Sequence, residues 1–289
     1  MILVTGGTGR IGKALVEELL KTGEDVRVFT RQNIYSKDYE VFKGDITYPQ
    51  DVEKALKGVE VVFHLAKLKG HNRPFHLHER VTVLGTNNVL KAAKKQSISK
   101  VIVMSSIAAK LKNKTPYALA KQKVEELCKQ YWKDFEIPIL RASLVYDSQI
   151  LKKLYYLSFF PFPYVNQKIH LTYKRTLIQA LIKSMDYGTS EIYEVGDKKP
   201  LLLPNFIKSL AAPRPVIFIP GETRLFLKIL GYPVEFISNL FNVNPVITPK
   251  YIDYLFEDRI LDVEKSKKEL HYRPTDTETI IAKFKKKEI

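Results

Sequence analysis

Short apolar runs and stretches of helical period alternate through the first half of the chain. Met1–Thr5 is apolar up to its last residue, as a strand buried on both faces requires. Ile11, Leu15, Leu19 and Leu20 then recur at helical spacing, which makes Gly6–Gly9 the turn between a strand and a helix. Val26–Thr30, Val61–Leu65, Val101–Ser105 and Ile139–Leu140 repeat the strand signal, each separated by enough chain for a crossover helix. The pattern predicts an α/β fold, a doubly wound parallel sheet over residues 1–146. From residue 147 the alternation fades: aromatics and prolines cluster at Phe159–Tyr164 and Pro213–Pro220, and glycines become sparse. Residues 147–289 are expected to form, for the most part, a smaller C-terminal substrate lobe, with some segments returning to the sheet. No period of roughly 20–50 residues repeats, so solenoids and propellers are excluded.

Composition narrows the class only slightly. Of 289 residues, 45% are hydrophobic and 27% charged, near the averages of folded domains, which excludes disordered and collagen-like chains. Cys128 is the single cysteine, so no intramolecular disulfide forms, and no cysteine/histidine cluster sets a metal site. A reducing compartment, the cytoplasm, is the expectation, and Met1 runs into the first strand without a basic leader. The longest uncharged stretches, Leu154–Gln167 and Phe236–Pro249, contain prolines and fall short of the ~20 apolar residues that span a bilayer. No transmembrane span is expected. The 47 basic and 31 acidic residues leave a net charge of +16, which attracts anions: nucleic acid, an acidic membrane surface, or phosphorylated cofactors and substrates. The lysines are spread along the chain, dense only at Lys283 and Lys285–Lys287, and no nucleic-acid motif accompanies them. No specific nucleic-acid partner is expected.

The turn Gly6-Gly7-Thr8-Gly9-Arg10-Ile11-Gly12 carries the first chemistry. Gly6 permits the tight turn, Gly9 lets the backbone approach a pyrophosphate, and Gly12 allows close packing of the helix. The pyrophosphate would rest on the helix N-terminus, where unpaired N–H groups and the positive dipole end meet it. A strand before and a helix after supply the context of a Rossmann dinucleotide site. NAD-selective sites usually end the second strand in an acidic residue; here Thr30-Arg31-Gln32 stands there. Arg31, with Arg10 reaching from the glycine loop, would suit a 2′-phosphate, so NADP is favoured over NAD.

Thr115-Pro116 reads as a helix start, with threonine as cap and proline in the first turn. Tyr117 and Lys121 follow four residues apart on one face, with Cβ atoms about 6 Å apart. A neighbouring cation favours the phenolate of a tyrosine whose ordinary pKa is about 10, so Tyr117 could exchange a proton while a nicotinamide exchanges hydride. Ser105 and Ser106 end a buried strand at the carboxyl edge, where open α/β sheets bind ligands, and either hydroxyl could orient a substrate oxygen.

Thr5–Gly12, Gly44-Asp45-Ile46-Thr47, His64-Leu65-Ala66, Gly85-Thr86-x-Asn88, Ser105-Ser106, Tyr117–Lys121 and Arg141-x-x-x-Val145-Tyr146 occur in one order. In this the chain resembles the extended short-chain dehydrogenase/reductase family, in its NAD-dependent epimerase/dehydratase branch. Asp262–Pro274, with Leu270-His-Tyr-Arg-Pro274, is similar to the closing stretch of its sugar epimerases and of its dihydroflavonol-reductase-like and 3β-hydroxysteroid-dehydrogenase-like members. The resemblance implies that Tyr117 is the general acid/base, that Lys121 holds the nicotinamide ribose and lowers the tyrosine pKa, and that Ser106 bonds the reacting oxygen. It implies that Asp45 and Ile46 contact adenine, that Leu65 and Ala66 pass beside the pyrophosphate and ribose, and that Arg141–Leu144, with Ser143, line the nicotinamide. Asp45 also reads as a plain turn residue after Gly44, and His64 as a strand-end packing residue.

The chain departs from that pattern at Thr82 for asparagine, Lys67 for a second alanine, Ala142 for proline and Asp147 for glycine. The resemblance implies an NAD(P)-dependent enzyme acting on a secondary alcohol or ketone, or a nucleotide-sugar epimerase with the same triad; a non-catalytic NADP-binding regulator is the reading of another class. The partner is a small-molecule substrate, ketone, alcohol or sugar nucleotide, and a homodimer stays open. His170, Lys174, Arg175 and Arg214 are candidates for a diphosphate or plain surface charges. Tyr155, Tyr156, Phe159, Phe160, Phe162 and Tyr164 form a substrate lid, a membrane-facing patch or lobe packing.

Overall fold

Successive residues of the first strand enter opposite apolar layers. Ile2 and Val4 pack with Leu15, Leu19, Phe63, Ile102, Leu140 and Leu177 on one face of the sheet. Leu3 packs with Phe29, Val62, Leu90, Val101, Val103 and Val124 on the other. With both faces covered, a strand must be apolar at every position, which is why Met1–Thr5 reads as an unbroken run.

The computed structural model describes residues 1–219, 223–241, 243–245 and 248–289. Pro220, which closes the Pro213–Pro220 cluster, and the side chain of Phe162 lie outside the described residues, as do three positions of Phe236–Pro249. The chain order is β1 (Ile2–Thr5), α1 (Arg10–Lys21), β2 (Val26–Thr30), β3 (Glu40–Lys43), α2 (Pro49–Ala55), β4 (Val61–His64) and α3 (Phe75–His78). A π-type turn, Glu79–Leu84, leads into α4 (Gly85–Lys95), β5 (Lys100–Ser106), a 3₁₀ turn (Ile107–Lys110), α5 (Pro116–Gln130) and β6 (Ile139–Ala142). Then come β7 (Leu144–Tyr146), α6 (Ser148–Leu157), β8 (Phe162–Pro163), β9 (Lys168–Ile169), β10 (Leu171–Tyr173), α7 (Lys174–Asp186) and β11 (Ile192–Val195). The chain closes with β12 (Leu201–Leu202), α8 (Leu203–Ala211), β13 (Phe218–Ile219), α9 (Thr223–Leu240), α10 (Pro249–Leu255), α11 (Glu264–Glu269) and α12 (Thr277–Lys285).

Seven strands form the parallel sheet in the order β11-β6-β5-β4-β1-β2-β3, with Ile2 paired to Val26 on one side and to Val61 on the other. The winding reverses at β1, which opens a crevice beyond the carboxyl ends of β1 and β4, where ligands bind in such sheets. The expected strands are present, with two additions. β3 is a half-exposed edge strand without an apolar run. β11 arrives from the second half and pairs with β6. The expected loss of alternation after residue 147 is corrected by β10, α7 and β11, which make one more strand-helix-strand unit; α7 packs against α1 in the first apolar layer.

Tyr146, Leu151, Ile169, Leu171, Phe206, Ile207, Leu210, Ile280 and Ile281 build a second, smaller core around α6, α8 and α12. A buried carboxylate ties that core to the chain: Asp197 accepts from Tyr146 Oη at 2.7 Å, Thr277 Oγ1 at 2.6 Å and the Tyr173 amide at 3.0 Å.

Candidate active site

The glycine loop meets three geometric demands at once. Gly6 has φ +73°, and a Cβ there would come within 2.9 Å of the Ala66 nitrogen, so β1's loop lies directly on Leu65 and Ala66 after β4. A Cβ on Gly12 would stand 2.2 Å from the Gly6 carbonyl oxygen, so the first turn of α1 rests on the loop itself. Gly9, the cap of α1, has extended backbone and no side-chain cap bond, and a Cβ there would meet only the Gly6 oxygen, at 3.2 Å. The first helical bond runs from Lys13 to the Gly9 carbonyl, which leaves the amides of Arg10, Ile11 and Gly12 without intrahelical acceptors.

At the end of β2 the Arg31 side chain is 71% exposed, and its guanidinium lies 3.9 Å from Asp45 Oδ2. Thr30 is buried and accepts the Gln32 amide. Asp45 Oδ1 also accepts the Thr47 amide at 2.9 Å, so the turn role read for it is present. Ile46 packs under Gly85, and its carbonyl accepts Asn88 Nδ2 at 3.0 Å, which explains the Gly85-Thr86-x-Asn88 pattern. The expectation that Arg10 joins Arg31 is corrected. Its guanidinium bonds Asp147 Oδ2 at 3.1 Å and the Val145 carbonyl at 2.8 Å, across to the start of α6.

His64 is a packing residue, as read: its ring bridges Thr5 Oγ1 at 2.8 Å and Thr86 Oγ1 at 2.9 Å. Burial, then the charge of Lys121, hold its pKa at about 3, so it stays neutral.

Thr115 caps α5 by accepting the Ala118 amide at 3.1 Å, with Pro116 in the first turn. This directs Tyr117 and Lys121 inward, where they are 6% and 3% exposed. Both side chains are shifted by their burial. Burial raises the Tyr117 pKa, opposed by the Ser106 hydroxyl, so the ligand-free phenol is neutral. Lys121 Nζ donates to the Met104 carbonyl at 2.6 Å, and burial followed by Lys67 pushes it down to about 7.

Around the phenol ring stand His71, at 4.3 Å between centroids, His78 at 6.1 Å, and Lys67 Nζ at 5.0 Å. Tyr251 and Tyr254 of α10 also face His71, at 6.1 and 6.0 Å between centroids, and Tyr254 shares an apolar cluster with Tyr117. His71 and His78 carry no motif of their own. The signal available for them is four histidines between positions 64 and 78.

With the glycine loop, the buried Tyr117–Lys121 pair of α5 and Ser106 at the end of β5 in place, comparison with known proteins becomes specific. The sequence profile of the NAD dependent epimerase/dehydratase family matches residues 2–149. The chain belongs to the NAD-dependent epimerase/dehydratase family. A relative within reach of this family member is the bovine (Bos taurus) decarboxylating sterol-4-alpha-carboxylate 3-dehydrogenase, 40% identical over 104 residues, 36% of this chain and 29% of that one. Another is the UDP-glucose 4-epimerase of Rickettsia rickettsii (strain Sheila Smith), 34% identical over 122 residues, 36% of each chain. This chain therefore spans about a third of the length of the curated relatives it matches. Among solved structures, gox2253 superposes with a TM-score of 0.77 at 22% identity, covering 99% of this chain and 98% of that one. MoeE5 in complex with UDP-glucuronic acid and NAD gives 0.76 at 19% identity, covering 100% and 99%. These two likenesses show the fold.

Within this epimerase/dehydratase fold the two serines separate. Ser105 donates to Glu125 Oε1 at 2.5 Å, and Glu125 also holds Arg141 through Nε at 2.8 Å. Arg141 reaches Glu194 of β11 at 3.2 Å, and Lys110 reaches the same carboxylate at 2.7 Å. Ser105 and Arg141 thus belong to a buried ion network joining α5, β6 and β11, in which removing one partner would cost about 3–5 kcal/mol. Ser106 Oγ accepts the Ala108 amide at 3.3 Å, and its proton is left to donate. Ser143 and exposed Leu144 follow β6 at the same edge. The diphosphate candidates are largely committed: His170 Nδ1 accepts the Leu261 amide, Lys174 pairs with Asp147, and Arg214 bonds Ser158.

Proposed function

We propose that this chain is an NAD(P)-dependent oxidoreductase that moves hydride to or from a secondary alcohol or ketone, with Tyr117 as general acid/base. The observation that carries the reading is the neutral, buried Tyr117 beside Ser106 on the carboxyl edge that also holds the glycine loop.

The residues fit a dinucleotide. The space beside Gly9 and the free amides of Arg10, Ile11 and Gly12 would take the pyrophosphate, with Leu65 and Ala66 alongside. Asp45 and Ile46 would meet adenine, Arg31 and Thr30 the adenosine ribose, and Ser143 and Leu144 the nicotinamide. Bound nicotinamide supplies or accepts the hydride. The protein's part is the proton. In reduction the neutral phenol gives its proton to the carbonyl oxygen, which Ser106 orients with its O–H. In oxidation the phenol must first lose its proton, and a nearby ammonium favours that state. Lys121 would hold the ribose, and the anionic cofactor would raise its pKa from about 7.

Net redox is favoured over sugar-nucleotide epimerisation because His170, Lys174 and Arg214 are engaged in protein contacts. NADP is favoured over NAD by Arg31 and by the lack of an acid at the end of β2. The lone buried Cys128 suits a reducing compartment such as the cytoplasm.

The test is an assay of ketones, aldehydes and UDP- or dTDP-sugars, followed by nicotinamide absorbance and product chromatography. Tyr117→Phe should lower turnover by about 10²–10⁴-fold with cofactor affinity unchanged, because the phenol handles only the proton. Lys121→Ala should weaken both. A Tyr117→Phe enzyme at wild-type rate overturns the reading; tight NADP binding without turnover of any substrate moves the protein to the regulator class.

A further inference from the structure

α9 is inside out. Apart from Arg224, which pairs with Asp253, its exposed large residues are apolar, and with Phe241 just past its end they fall on two adjacent stripes, Leu225, Ile229, Tyr232, Phe236 and Leu240 on one, Leu230, Val234, Ile237 and Phe241 on the other. Spacings of three and four keep each stripe on one helical face. Phe236 and Leu240 are each 71% exposed, where a helix of a folded domain normally turns such residues to the core. A second exposed apolar group lies where β8 and β13 pair: Tyr156, Leu157, Phe159, Phe160, Ile217 and Ile219. Only residues 220–222 separate Ile219 from α9.

The charge next to these residues is one-sided. Residues 198–250 hold seven Lys and Arg against two acids, Arg224 and Lys228 of the seven pairing with Asp253, and 148–167 hold Lys152 and Lys153 and no acid. Lys152 and Lys153 are exposed, unpaired among the described residues, and one helical turn before Tyr156 and Leu157. Apolar side chains flanked by lysines match a surface with a hydrocarbon interior and anionic headgroups; a second copy of this chain would bring the same positive charge against itself. No helix among the described residues is long and apolar enough to cross a membrane, so the fitting geometry is a helix lying in the interface.

We infer that the α9 face, together with the Tyr156–Phe160 patch, docks this protein onto the surface of an anionic lipid bilayer. The chain after α9 also borders the Tyr117 cleft: Asn72 Nδ2 donates to the Pro245 carbonyl at 3.0 Å, and α10 packs on His71. Docking would set that cleft beside the lipid. The inference does not rest on the proposed activity, and its test needs no substrate.

Full-length protein is sedimented with vesicles of phosphatidylcholine alone or of phosphatidylcholine with phosphatidylglycerol, at low and high salt. Wild type should bind the anionic vesicles, more weakly at high salt. Phe236→Ser with Leu240→Ser should lower the bound-to-free ratio by up to about a hundredfold, since each lost apolar side chain is worth about tenfold. Lys152→Glu with Lys153→Glu should remove the preference for anionic lipid. Thermal melts and cofactor binding should be unchanged in both, because the positions are exposed. Failure of wild type to sediment, indifference to the apolar pair, or a dimer in analytical ultracentrifugation that the pair dissociates would overturn the inference.

Discussion

At the residue scale, the cofactor's 2′ position depends on one side chain. Arg31 is exposed at the end of β2, with only a 3.9 Å contact to Asp45, whereas Arg10 is held by Asp147 and Val145. A charged hydrogen bond contributes about 1.5–3 kcal/mol before screening, and exposure reduces that to about 1 kcal/mol. NADP should therefore bind roughly five- to tenfold more tightly than NAD, and Arg31→Ala should bring the two together. Calorimetric titration of both cofactors at fixed salt decides it; equal affinities in wild type, or tighter NAD, would remove the argument.

At the element scale, the junction of β1 and α1 separates fold from binding. A methyl at Gly12 meets backbone at 2.2 Å and cannot be relieved by a rotamer, so Gly12→Ala should cost about 1–3 kcal/mol or more. Gly9→Val has extended backbone and one contact at 3.2 Å, so the fold should survive while branched carbons fill the pyrophosphate path. Thermal melts with and without cofactor distinguish them: Gly12→Ala should lower the baseline Tm, and Gly9→Val only the cofactor-induced shift. A shift that survives in Gly9→Val would mean that the dinucleotide binds elsewhere.

At the scale of the whole molecule, buried titratable groups set the pH range. His64, His71 and His78 are lowered from 6.5 to about 3, 4 and 4, chiefly by burial. Between those values and 6.5 the unfolded chain binds more protons, so stability falls as pH drops through that window. Asp197 acts the other way: burial raises it from 3.8 to about 6, so the folded state gains a proton in nearly the same range. Three groups against one leave a net acid sensitivity on the order of 2 kcal/mol or more. Lys121, at about 7 against 10.5, adds stability as pH rises between those values. Melting temperature should climb from pH 4 to pH 6.5, and His64→Asn should flatten the climb; an unchanged slope would assign the acid sensitivity to other groups.

Periodicity and local caps are written in neighbouring residues, and those features of the protein were legible from them. The five largely apolar strands, the glycine turn and the Thr115 cap need only contacts a few residues apart. β3 is short and half exposed, and β11 reaches the sheet from a distant segment, so neither leaves an apolar run where its neighbours in space lie. The site divides in the same way. Tyr117 and Lys121 share a helix face by spacing alone, but Lys121's bond to Met104, the choice of Ser106 over Ser105 through Glu125, and Arg10's partner 137 residues away depend on how elements pack. Local order along a chain follows from backbone and side-chain periodicity, whereas the partner of a long polar side chain follows from which elements the core brings together, and that only the tertiary structure decides.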